Sequence, residues 1–169
     1  MGGGTSNLLG KSPAAWGEAL IGGAGNMPES SIWPEYSRRN GESETQWLLR
    51  ALLQSLECLA AEAETVIRAY PPEIPVADDL ANEFDTRVQQ ARRCVEEGLI
   101  SEQALKSIET VLSEISQMTE RRDPSMWTNQ ALHSRPEWAA VRRLAREVLA
   151  TLGFELEPPP PWSGTSTPA

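Results

Sequence analysis

Apolar side chains recur at helical spacing from Ser43 to Tyr70: Leu49, Leu52, Leu53, Leu56, Ala60, Ala63, Ile67 and Tyr70. Leu48, Leu59 and Val66 widen that face beyond the ~100° stripe of an ordinary surface helix. Only a narrow polar strip remains, through Arg50, Gln54, Glu57, Glu64 and Arg68. A helix this apolar must be covered on most sides, so the pattern predicts a central helix over 43–70, roughly 40 Å long. Ser43 and Gln46 fit the reciprocal capping box at its start. Pro71 and Pro72 end it, because neither can continue the hydrogen-bond ladder.

The same spacing predicts a second helix over about 78–97, with Leu80, Phe84, Val88, Ala91 and Val95 on one face. Gly98 followed by Leu99 suits a left-handed cap with its apolar contact. Ser101 can then cap a third helix over about 101–121, carrying Leu105, Ile108, Val111, Leu112, Ile115 and Met118. So short a connection makes the two an antiparallel hairpin. Asp123 and Pro124 open a short helix through Trp127 and Leu132. A last long helix over about 134–152 is expected to start with a second capping box, Ser134 with Glu137. Its apolar face is Trp138, Val141, Ala145, Val148, Leu149 and Leu152, and Gly153 with Phe154 closes it.

No strand-like alternation persists, and no repeat of twenty to fifty residues recurs. The expected fold is all-α: an antiparallel bundle of four main helices with one or two short extra helices and irregular termini. With 169 residues there is room for one domain. Residues 1–40 form a flexible or strap-like N-terminal segment, in which Ser12 and Pro13 can open one short helix that Gly22 ends. Residues 41–154 are the bundle, and 155–169 a Pro-rich tail.

Apolar residues are 40% of the chain and charged residues 23%, ordinary globular shares. No apolar run reaches the ~18 residues of a membrane span. With no secretory-signal pattern at the N-terminus and no CxxC spacing, Cys58 and Cys94 read as reduced thiols and the location as cytoplasmic. The net charge is −9, distributed unevenly. Residues 57–114 hold thirteen acidic and five basic side chains, whereas 115–154 hold four and six. An acidic chain is repelled by phosphate backbones, which disfavours nucleic acid.

Candidate chemistry is sparse. One histidine, His133, excludes the paired Glu-x-x-His di-metal pattern of ferritin-like bundles, and two separated cysteines with it make no zinc site. Mid-helix Cys58 and Cys94 lack the neighbouring base or helix N-terminus that activates a nucleophile. Cys94 reads as inward-facing and Cys58 as nearer its helix edge. No catalytic, cofactor-binding or metal-ligating residue is expected. Gly2 fits the N-myristoylation pattern formally, though the match is short. Pro158 to Pro161 with Trp162 can form a polyproline II ligand, but a solvated tail is preferred. Arg135, Arg142, Arg143 and Arg146 give the last helix a basic face, expected to meet the protein's own acidic groups or solvent.

The reading is therefore an acidic helical protein, more plausibly non-catalytic, that binds another protein, with a cationic partner favoured. Its candidate contacts are Asp85, Glu96, Glu97, Glu102 and Glu109 on the hairpin, together with Trp16 and Trp33. Those tryptophans are either tucked onto the bundle or partner anchors. The alternatives are an enzyme using carboxylates and arginines near Trp127 or Trp138, and weak nucleic-acid binding through the last helix.

Overall fold

Helix α1 (Glu44–Ala60) begins at the capping box read from the sequence. The Gln46 amide donates to the Ser43 hydroxyl at 3.1 Å, and the Ser43 amide to the Gln46 side chain at 2.9 Å. The computed structural model describes residues 38–157, 159, 161 and 162. Gly2, the expected short helix after Ser12, Trp16 and Trp33 lie outside them. The described helices are α1, α2 (Ala63–Arg68), α3 (Val76–Glu96), α4 (Glu102–Glu120), α5 (Asn129–Ser134) and α6 (Pro136–Thr151), with a 3₁₀ turn at Pro124–Trp127. No strand occurs among the described residues.

The four long helices alternate in direction and close a ring in the order α1, α3, α4, α6. Helix α1 packs on α3 and α6, and α4 packs on the same two from the other side. Ion pairs fix the directions. Arg93 at the end of α3 meets Glu44 at the start of α1, and Arg121 beyond the end of α4 meets Glu137 at the start of α6. This is the expected antiparallel bundle. Its core runs through Leu52, Leu53 and Leu56 of α1, Phe84 of α3, Ile108 and Val111 of α4, and Val141 and Leu149 of α6.

Both glycine caps form as the sequence predicts. Gly98 takes φ +72° and Gly153 φ +83°, the left-handed conformation that costs glycine no Cβ clash. The Leu99 amide reaches back to the Cys94 carbonyl at 2.8 Å, and Phe154 to Leu149 at 2.9 Å. These are the long bonds of two Schellman motifs.

Three helix boundaries differ from expectation: the short helix expected through Trp127 and Leu132 is a 3₁₀ turn and α5, separated by the extended Thr128 (ψ 157°). The single helix over 43–70 is two, because Ala61 and Glu62 are extended, with ψ 155° and 145°. No glycine or proline marks that break. The Ala60 carbonyl instead accepts the Arg146 guanidinium at 2.8 Å, and the Ala61 carbonyl that of Arg142 at 3.0 Å. Donors from α6 thus satisfy acceptors that would otherwise continue the ladder. The last helix starts at Pro136, not at Ser134. Proline suits the first helical position and forces its predecessor, Arg135, to be extended (ψ 130°). Ser134 consequently ends α5, its hydroxyl bonded to the Gln130 carbonyl, and Glu137 pairs with Arg121 instead of closing a box.

Candidate protein-binding surface

Helix α3 turns Leu80, Phe84, Ala91 and Cys94 inward and leaves Asp78, Asn82, Asp85, Gln89 and Glu96 along its outer line. Arginines flank that line, yet each is engaged elsewhere. Arg92 pairs with Glu102 of α4 at 2.7 Å, and Arg93 with Glu44 of α1 at 2.9 Å. Among the described residues, Asp78, Asp85 and Glu96, and Glu109 and Glu120 on the outside of α4, have no ion pair. Among the described residues, Lys106 and, beyond the end of α4, Arg122 are exposed cations without an ion pair.

The five hairpin acids expected to meet a partner therefore divide. Asp85, Glu96 and Glu109 are exposed and without a cation. Glu102 is exposed but carries the Arg92 pair. Glu97 is exposed, and its carboxylate accepts the buried Thr45 hydroxyl at 2.7 Å, tying the end of α3 to the start of α1. Glu96, Glu97 and Glu102 share the end of the hairpin near its turn, while Asp85 and Glu109 lie further along it.

Two arginines of the basic face of α6 reach the protein's own backbone. Arg142 donates to the carbonyls of Ala61 and Leu132, at 3.0 and 2.9 Å. Arg146 joins the Ala60 carbonyl to the Glu62 carboxylate, and its hydrogen bond holds that carboxyl below the usual range. Arg143 pairs with Glu147 one turn on, and Arg135 with Asp123 at 2.8 Å. Cations at helix C-termini complement the macrodipole there. The arrangement leaves no row of open guanidinium groups for phosphates.

No protein-family model, curated protein or solved structure matches the chain. The reading therefore rests on the geometry alone.

A second polar group of residues, not singled out in the sequence, lies where α1, α2 and α3 meet. On α3, Asp79, Glu83, Arg87 and Gln90 follow one another at helical spacing beside the apolar stripe. Arg87 is buried, pairs with Glu83 at 2.7 Å and stands over the Trp47 ring at 5.2 Å. Burial pushes Asp79 up, against the pull of the Tyr70 hydroxyl beside it. Burial likewise raises the Tyr70 hydroxyl and the Cys58 thiol, Cys58 also through the nearby Glu57 and Glu83 carboxylates. Cys58 is 2% exposed and sits inside the core, which corrects its expected place at the helix edge. Glu57, half-buried on α1, is pushed up to about 8 by burial and by the Glu157 carboxylate. The i, i+4, i+8 series of Asp79, Glu83 and Arg87 is the one sequence signal that could have marked this group.

Neither thiol is activated. Cys94 is free and buried, donates weakly to the Thr45 carbonyl, and is pushed up to about 11 by burial and Glu97. A nucleophile needs the opposite shift. Near Trp127 and Trp138 the carboxylates and arginines neutralise each other in the pairs Arg121–Glu137 and Arg135–Asp123. Trp138 is buried, with its indole N–H on the Met126 carbonyl and its ring edge-on to Trp127. Exposed His133 lies in the last turn of α5. Among the described residues no three His, Cys, Asp or Glu side chains group to hold a metal ion, and no helix is long and apolar enough to cross a membrane.

Proposed function

We propose that this protein acts without chemistry of its own, by binding a cationic protein through the outer faces of α3 and α4. One observation carries the reading. Arg92 and Arg93 of α3, and Arg142, Arg143 and Arg146 of α6, are all engaged within the fold, while among the described residues Asp78, Asp85, Glu96, Glu109 and Glu120 have no ion pair. The charge presented outward along the hairpin is therefore negative. Such a field steers oppositely charged partners and speeds encounter by ~10–1,000-fold at low salt. Two free, buried thiols fit a reducing, intracellular setting.

The test is capture from the native host followed by association kinetics with the recovered partner. Asp85→Lys with Glu96→Lys changes the outer line while sparing Glu97, whose bond to Thr45 belongs to the fold. Association should slow at least about tenfold at low ionic strength, and the difference should shrink near ~0.15 M salt, where the screening length is about 8 Å. Equal rates at every salt concentration would remove this surface from the mechanism. Tight duplex binding with a steep salt dependence would favour nucleic acid instead.

A further inference from the structure

Ala61 and Glu62 interrupt a stretch whose other signals are all helical. From Leu59 to Arg68 the chain holds no glycine and no proline, and the strong helix formers Leu, Ala, Glu and Arg supply seven of its ten residues. The apolar stripe also keeps its phase across the break. Ala63 and Val66 each follow a core residue of α1, Leu56 and Leu59, by seven positions, about two turns of one helix.

A continuous helix over 44–68 would bond the Glu64 and Thr65 amides to the Ala60 and Ala61 carbonyls. Those are the two acceptors that α6 takes. Arg146 Nε donates to the Ala60 carbonyl at 2.8 Å, and Arg142 Nε to that of Ala61 at 3.0 Å. We propose that this stretch has two conformations, the broken one of the structure and a continuous helix, and that the Arg142 and Arg146 guanidinium groups hold it in the first.

Both arginines also reach the elements that the break brings together. Arg146 pairs with Glu62, inside the break, and Arg142 donates to the Leu132 carbonyl of α5, on which α2 packs. The broken form thus seats α2 against α5 and buries Ala63 and Val66. The C-terminal residues add to it: where a solvated tail was expected, the Trp162 amide donates to the Arg68 carbonyl at 2.7 Å. The continuous form gives up these contacts. In return it supplies main-chain acceptors to a helix start that has no side-chain cap in the broken form. It also carries Val66 away from α5 and into line with the stripe of α1. Burial and the arginine bonds act together, and removing the bonds leaves the ladder to compete with burial alone.

The experiment reads the backbone Cα and Cβ chemical shifts of Ala61 and Glu62 in the full chain, which separate extended from helical backbone. In the wild type both residues should be extended, matching their ψ of 155° and 145°. Arg142→Met with Arg146→Met keeps the apolar stems and removes the donors, and should move both residues to helical values. Shifts in α3 and α4 should stay in place, which separates straightening from unfolding. Arg146→Met alone leaves Arg142 on Ala61 and Leu132, so it tests the idea even if the double variant fails to fold. It should move the same shifts part of the way or give a second, helical set of peaks. Adding Glu62→Pro to either variant should return Ala61 to extended values. Proline fits the φ of −61° at that position, Ala61 before it is already extended, and the missing amide denies the ladder a bond. Extended shifts at Ala61 and Glu62 in every folded arginine variant would overturn the proposal.

Discussion

A single guanidinium, that of Arg142, holds the C-terminal carbonyls of two helices, Ala61 beyond α1 and Leu132 in α5. Lysine carries the same charge but lacks the planar fork that reaches two acceptors at once. Arg142→Lys is therefore expected to cost ~1–3 kcal/mol in urea unfolding, the range for leaving a buried acceptor unsatisfied. Arg143→Lys, at an exposed pair with Glu147, should change stability by less than ~0.5 kcal/mol. The sequence shows these arginines as one basic face and cannot separate them, since the Ala61 and Ala60 carbonyls that take Arg142 and Arg146 lie more than eighty residues away. Glu57 is similarly hidden: it reads as part of a polar strip, whereas in the fold it is half-buried. Its carboxyl is raised in the folded state, so the native protein binds its proton more tightly than the unfolded chain does. Stability should thus fall as pH rises from the ordinary Glu range to about 8, then level off. Glu57→Gln should flatten that fall and gain roughly 2 kcal/mol at pH 8, measured by denaturant titration at several pH values.

At the scale of elements, local chemistry was legible wherever it determines a helix end by itself. The Ser43–Gln46 box, the Ser101 cap and both glycine caps are all formed. Ser134 failed because two local rules competed, and proline at the first helical position overrode a serine cap two residues earlier. The break after Ala60 failed for the opposite reason, since nothing local specifies it. The apolar breadth of α1 was read correctly even so: Leu53 is 1% exposed and Leu56 fully buried. Leu56→Ala should cost ~2–5 kcal/mol, because the surrounding helices cannot close on the cavity. Leu144→Ala on α6, only partly buried, should cost clearly less in the same melts. Equal losses would mean that α1 is no more central than α6.

For the whole molecule, the alternation of long apolar faces and short connections was enough to give an all-α antiparallel bundle. Charge was legible as a total, while its outward share was not. The sequence places a basic segment opposite an acidic one, and the fold pairs most of that basic segment with its own carboxylates and backbone carbonyls. What then lacks an ion pair on the outside of α3 and α4 is mostly carboxylate, which is why the proposed partner is cationic. Asp85 and Glu96 are the members of the expected set best suited to test it, because Glu97 and Glu102 also serve contacts within the bundle.

The seam between α1 and α6 has a consequence in time. Helices α3 and α4 are neighbours in sequence and need close only a short loop, whereas Arg142 and Arg146 meet Ala61 and Ala60 across 81 and 86 residues. Contacts of such separation are entropically slow to form. The hairpin is expected to gather first and the arginine latch to engage after the rate-limiting barrier. Removing a late contact mainly speeds unfolding. In stopped-flow chevrons, Arg142→Ala should steepen none of the slopes, leave the refolding limb almost in place and lift the unfolding limb by most of the lost stability. A refolding limb that drops instead would place the α1–α6 closure in the nucleus and make the latch the first event of folding.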